Sequence, residues 1–263
     1  MSAAGIPTPL QTLKALAKGY APRLLQARGW VLASLPVLPV ALTFLVATVV
    51  SGLGRHVSQG IYLTIFHGVL VAYIVPIMAL VAAPAGIRED LEQRTLPLML
   101  SRPAPVWALP LAKGLLWFAW GAVWLVVANA TLLGLGLSFG DLPGQCAALV
   151  GVYWGELAFL AVLGLVFKRG NLWGALWLFL VEPLVRIFPG NLQRLTFVHY
   201  AESLSRSRAG DVKVSQLLAQ VQISTPWALA LLVLFAFGLA CWALTGWKLQ
   251  TTPIGLAGAD AEG

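Results

Sequence analysis

The residues able to do chemistry in this chain are few and far apart. Glu156 stands in the middle of an apolar run, Gly144–Phe167, that holds no other charged residue. An ionisable group in such a setting is a functional candidate by default, because a carboxylate there needs a base or an aqueous cavity to remain charged. The competing reading is a protonated glutamate making a structural hydrogen bond between helices. Glu182 and Arg186 lie four apart, so they share a helix face and can pair. Pro183 between them can bend that helix. The pair then serves either as a charge-neutral support for a broken helix or as a gate on a path. His67, Asn129 and His199 occur singly, and no pairing of Glu156 with either histidine has a spacing that implies a shared acid–base site. Cys146 and Cys241 both fall in apolar segments, so neither a disulfide framework nor a CxxC metal site is indicated. A phosphate-cradling GxxxxGK[ST] loop needs a Gly-Lys pair, and no lysine here follows a glycine. By that route the chain binds no nucleotide of its own.

These residues must be carried by an unusually oily scaffold. Of 263 residues, 59% are hydrophobic and 10% charged, where soluble domains carry roughly 25% charged residues. The class is therefore all-α integral membrane protein. The formal charge of +7 is not arranged as a basic cluster interleaved with aromatics, which disfavours nucleic acid; in a membrane protein it reflects anchoring. A helix needs about 20 apolar residues to cross the hydrocarbon core. Runs at Trp30–Val50, Ile61–Ala85, Val106–Leu137, Gly144–Phe167, Leu172–Phe188 and Pro226–Trp247 predict six spans, the third long and the fifth short.

Six spans place both termini on one side. With the termini inside, the cytoplasmic Lys and Arg residues are Lys14, Lys18, Arg23, Arg28, Arg88, Arg94, Arg102, Lys113, Lys168, Arg169 and Lys248. These eleven outnumber the remaining six, and four of the six fall in one long loop that weighs little in the positive-inside rule. The expectation is a multi-pass protein of the cell's inner (plasma) membrane with cytoplasmic termini. Residues 1–28 contain no apolar run, so the first span is expected to act as an uncleaved anchor.

Flanking pieces complete the organisation: 1–29, the six-span domain 30–248, and a disordered cytoplasmic tail 249–263. Leu13, Leu16, Tyr20 and Leu24 recur at helical spacing with Lys14, Lys18 and Arg23 between them. This predicts an amphipathic helix along the inner membrane surface, broken or bent at Pro22. In the outer loop 189–225, Val214, Leu217, Leu218 and Val221 form a second stripe, with Asp211 as its cap. One or two short helices packed on the outer face are expected there, since a structureless loop of that length is unusual. Gly151, Gly155 and Gly164 mark a close-approach seam on the fourth span. Trp30, Trp107, Trp173, Trp227 and Trp247 fall near span boundaries, as an aromatic belt requires.

The most polar stretch in the first half is "GIREDLEQRTLPLMLSRP", Gly86 to Pro103, set between the second and third spans. Its charges cannot lie in lipid, yet Asp90 to Arg94 favours helix and Leu96, Leu98, Met99 and Leu100 give it an apolar side. A rigid charged handle between two spans can transmit force, and mixed charges set the register of a docked helix more than its affinity.

That stretch resembles the cytoplasmic segment between the second and third spans of ABC-2 type permeases. The match runs through Arg88, Glu89, Glu92, Arg94, Thr95, Leu96, Leu98, Leu100, Ser101 and Pro103. The family pattern usually places Gly before the Thr and Glu after the Leu, where this chain has Arg94 and Pro97. The resemblance implies a coupling helix at 86–103 that docks on a separate soluble ATPase subunit, with Arg88, Glu89, Asp90, Glu92, Arg94, Thr95 and Leu96 as the coupling residues. It also implies ATP and Mg on that partner, a second permease copy or a related permease, and a non-catalytic role for this chain in moving substrate outward. Glu156, Glu182 and Arg186 would line or gate the path. Two alternatives stand beside it: an ion-coupled carrier with Glu156 as its proton site, and a polytopic membrane enzyme using Glu156 with His67 or His199.

Overall fold

In a bilayer the backbone must satisfy its own hydrogen bonds, so apolar runs of this length fold as helices. The computed structural model describes residues 9–52, 65–83, 107–134, 142–187, 191–205 and 225–251, and every regular element among them is helical. In chain order these are α1 (Pro9–Leu24), α2 (Ala27–Gly52) and α3, a π-helical stretch Phe66–Ile74 continuing as Val75–Ala82. Next come α4 (Ala108–Gly134), α5 (Leu142–Val166) and α6, which runs as Gly170–Leu176, a π turn Trp177–Val181 and Glu182–Ile187. A 3-10 turn at Asn191–Leu195, α7 (Phe197–Ser205) and α8 (Trp227–Thr251) complete the chain.

Four of these helices are long and apolar enough to cross a membrane: Ala27–Val49, Ala108–Leu132, Leu142–Val166 and Trp227–Thr251. Two shorter apolar helices, Phe66–Ala82 and Gly170–Val185, occupy the positions of the second and fifth runs read from the sequence. The segment 86–103, with all seven of its coupling residues, lies outside the described residues, as does the stripe from Asp211 to Val221.

α5 is the central post. Of the four long helices it is the most enclosed, with 61% of its apolar window buried against 28–33% for the others. α3, α4, α6, α7 and α8 all pack on it, while α1 and α2 pack on α4. Close approach is achieved by setting large rings against glycines. Tyr153 lies over Gly121, Trp154 over Gly238 and Trp242 over Gly114, where a Cβ would collide with each ring. The Tyr153 hydroxyl donates to the Trp117 carbonyl at 3.1 Å, tying α5 to α4. Trp154 gathers Phe118 at 5.0 Å, Phe235 at 6.0 Å and Trp242 at 6.2 Å around itself. Of the predicted glycine seam, Gly151 meets Leu234 and Leu204, and Gly155 meets Phe197 and Leu234, but Gly164 faces open space.

The contacts fix the helix directions. Tyr153 with Trp117 and Asn129 with Cys146 (3.7 Å) make α4 and α5 antiparallel. Trp107 against Gly246 brings the end of α8 to the start of α4. Lys14, Lys18, Arg23, Arg28, Lys113, Lys168, Arg169 and Lys248 consequently collect at one end of the bundle, where α3 also finishes and the 86–103 connection departs. Trp30, Trp173, Trp227 and Trp247 are each at least half exposed on the apolar rim.

Two local expectations need adjustment. α1 runs through Pro22 and stops at Leu24, because Leu25 and Gln26 turn back onto the carbonyls of Pro22 and Arg23. α1 packs on α4. α8 continues to Thr251, past the point where the tail was expected to begin.

Candidate functional site: a buried acid at the root of α7

The feature that organises this site is the placement of α7. The helix lies along α5 with Leu204 against Gly144 and Phe197 against Gly155, so its N-terminus is sunk to mid-length of the central post. The stripe from which outer-face helices were expected lies outside the described residues; α7 is an earlier helix of the same loop, and the glycines of α5 let it pack closely on the post. A helix N-terminus leaves amide donors without intrahelical partners and carries partial positive charge. Both are answered locally. Thr196 accepts the His199 amide on its hydroxyl at 3.3 Å while donating to the Gln193 carbonyl at 2.7 Å. Glu182, on α6, accepts the Val198 amide at 2.9 Å. A carboxylate on the second amide of a helix is favoured both as a hydrogen-bond acceptor and by the helix dipole. Glu182 is 4% exposed. Its described role is therefore to fasten α6 to the root of α7. The Arg186 side chain lies outside the described residues, so the Glu182–Arg186 pairing is not among the contacts seen.

Glu156 is the second acid. It is completely buried on α5, and neither carboxyl oxygen has a hydrogen-bond partner among the described residues. Gly155, the residue before it, carries Phe197 of α7, and the next residue of α7, Val198, is the one Glu182 holds. The 152–156–160 stripe of α5 faces α6 and α3, as Leu160 shows by filling the space before Gly174 beside Leu80. An ionised carboxylate left in such an interior without donors costs several kcal/mol. The arrangement thus holds one acid that is fastened to a helix amide and one that is not.

The other polar residues singled out by type are engaged elsewhere. His199 Nε2 lies 2.9 Å from Thr225 Oγ1, joining α7 to the approach of α8 rather than to Glu156. Burial, helped by the Arg194 guanidinium, holds its imidazole below the usual histidine range. His67 is buried on α3 edge-on to Phe66 at 4.9 Å. Asn129 is buried at the α4–α5 contact with Cys146. No cluster of three or more His, Cys, Asp or Glu that could hold a metal ion occurs among the described residues.

Two participants escape a reading by spacing. Lys113 counts in the sequence only toward topology, yet it is 2% exposed, with Nζ 4.4 Å from the centre of the Tyr20 ring. Arg23, on α1 itself, lies over the same ring at 5.2 Å, so the contact that joins α1 to α4 is the one between Tyr20 and Lys113. Its only signal in the sequence is a lysine two turns inside an apolar run. Glu202, buried on α7, carries no motif at all. Compared with known protein families, with curated proteins and with solved structures, the chain matches none.

Proposed function

We propose that the chain is the membrane-spanning subunit of an ABC-2 type exporter, powered by a separate soluble ATPase. The observation that carries this reading is the segment Gly86–Pro103, a dense run of mixed charge followed by an aliphatic stretch between two apolar helices. The fold supports it in two ways. The connection leaves the bundle at the end that gathers the basic residues, which the positive-inside rule makes cytoplasmic. α1 packs on the first half of α4 at that same end, bound through Tyr20 and Lys113. In this reading α3 and α6 complete six spans with both termini in the cytoplasm of the inner membrane. Arg88, Glu89, Asp90, Glu92, Arg94, Thr95 and Leu96 receive the stroke of the ATPase dimer, and substrate passes along an interface between two permease copies. This chain itself is non-catalytic.

The test is a mild-detergent pull-down of the tagged chain from its native membranes. A soluble Walker-type ATPase should co-purify stoichiometrically and be lost when 88–94 is scrambled. A chain that comes out alone even after cross-linking sinks the reading. The second reading is an ion-coupled carrier, favoured by the buried and unpartnered carboxyl of Glu156. It is separated from the first by transport that depends on a proton gradient and needs no ATPase.

A further inference from the structure

The structure holds two carboxyl groups in one apolar interior, and it treats them differently. Glu182 has a fixed acceptor role on the Val198 amide at the positive end of α7. Glu156 is buried to 0% exposure with both oxygens unpartnered among the described residues, and it follows Gly155, on which Phe197 packs next to the Val198 that Glu182 holds. Two ionised carboxylates cannot both be accommodated in such a place, and the one with the amide and the helix dipole is the one equipped to remain ionised. The titratable or charged groups on the elements packed around Glu156 are Tyr153 on α5, His67 and Tyr73 on α3, and Glu182 and Arg186 on α6. On α7 and the turn before it they are Arg194, His199, Tyr200 and Glu202, and on α4 and α8, which also pack on α5, they are Lys113, Cys241 and Lys248. Of these, Tyr153 is committed to the Trp117 carbonyl and His199 to Thr225.

The geometry points to a buried proton-binding pair: Glu182 remains the charged cap of α7, and Glu156 holds an exchangeable proton. Release of that proton would put two like charges into one apolar interior, with no donor to Glu156 among the described residues. The relief open to the structure is loss of the Glu182–Val198 hydrogen bond, which frees the sunken end of α7. Proton occupancy and the seating of α7 are thereby linked. This inference deepens the proton site of the carrier reading by naming the pair and the element it governs, and it holds equally in a permease driven by ATP.

The experiment is infrared difference spectroscopy of the full chain in lipid nanodiscs across a pH series, with amide exchange of α7 followed in parallel. The expected result at neutral pH is a carbonyl stretch of a protonated buried carboxyl that is absent in Glu156→Gln, shifted but present in Glu156→Asp, and retained in Glu182→Gln. As the band disappears at high pH, exchange at Val198 should rise beyond its intrinsic pH dependence, at least tenfold more than in Glu156→Gln. A neutral-pH spectrum without that band, or one in which Glu182→Gln removes it instead, overturns the assignment. So does a band that sodium or potassium ions abolish at constant pH, which would make the ligand a monovalent cation. Glu156→Asp keeps the test usable if Glu156→Gln does not fold. None of these readouts involves an ATPase or transport, so the inference and the carrier reading can fail separately.

Discussion

The hydrogen bond from the Val198 amide to Glu182 gives a prediction whose size follows from the contact itself. Glu182→Ala removes a charged acceptor 2.9 Å from a buried amide and leaves that amide unpartnered. Hydrogen bonds to charged groups contribute about 1.5–3 kcal/mol, and an orphaned buried donor costs about as much. The neighbouring cap by Thr196 survives the substitution, since it serves the His199 amide rather than that of Val198. The loss should therefore be near 2 kcal/mol and confined to the first turn of α7. Glu182→Gln keeps a carbonyl oxygen in the same place and gives up only the charge, so about half of that loss is expected. Local opening free energy sets amide exchange. At 1.4 kcal/mol per decade, the Ala variant should exchange at Val198 roughly 30-fold faster and the Gln variant about fivefold faster. Exchange in α1, which packs on α4, should not change. If both variants exchange within about threefold of the parent, Glu182 does not cap α7 and the account of its burial is wrong.

Further outcomes follow from the same packing. Gly238→Leu must displace the Trp154 ring that lies over Gly238, which should cost about 1–3 kcal/mol by overpacking and lower the thermal midpoint; Gly164→Ala, facing open space, should leave it unchanged. Tyr20→Leu removes the ring beneath Lys113 and Arg23, and should weaken the α1–α4 contact by about 1–2 kcal/mol, seen as faster proteolysis within 9–24. His199 binds its proton less readily in the fold than in the unfolded chain. Its contribution to stability is therefore complete above the ordinary histidine value of 6.5 and is lost as pH falls through the lower folded value. Thermal midpoints measured on the acid side should fall more steeply for the parent than for His199→Gln. Replacing Glu89 and Glu92 with lysine should abolish ATPase co-purification while leaving membrane insertion intact; normal recruitment by that variant would refute the coupling role.

Much of this protein was legible from the chain alone because a bilayer is a severe solvent. Backbone satisfaction and hydrocarbon thickness force an apolar run such as Leu142–Val166 into a helix whatever it packs against. Helix class, the approximate ends of the long helices and the aromatic rim at Trp30, Trp173, Trp227 and Trp247 thus follow from composition and run length. Glu156 was conspicuous for the same reason: a single charge in an apolar run has no camouflage. Spacing could not say which elements meet. Glu182 and Arg186 lie four apart and invite a local pair, which falls outside the described side chains; the contact seen, from Glu182 to Val198 sixteen residues away, has no signal in the spacing. Lys113 looks like a topology signal until α1 folds over it and supplies Tyr20. The sinking of α7 depends on Gly144, Gly151 and Gly155 presenting no Cβ to a helix some fifty residues on in the chain. Local periodicity encodes a helix and its oily face; the partner of that face is set by side-chain volume and donor placement across the bundle, and these exist only once the helices have packed.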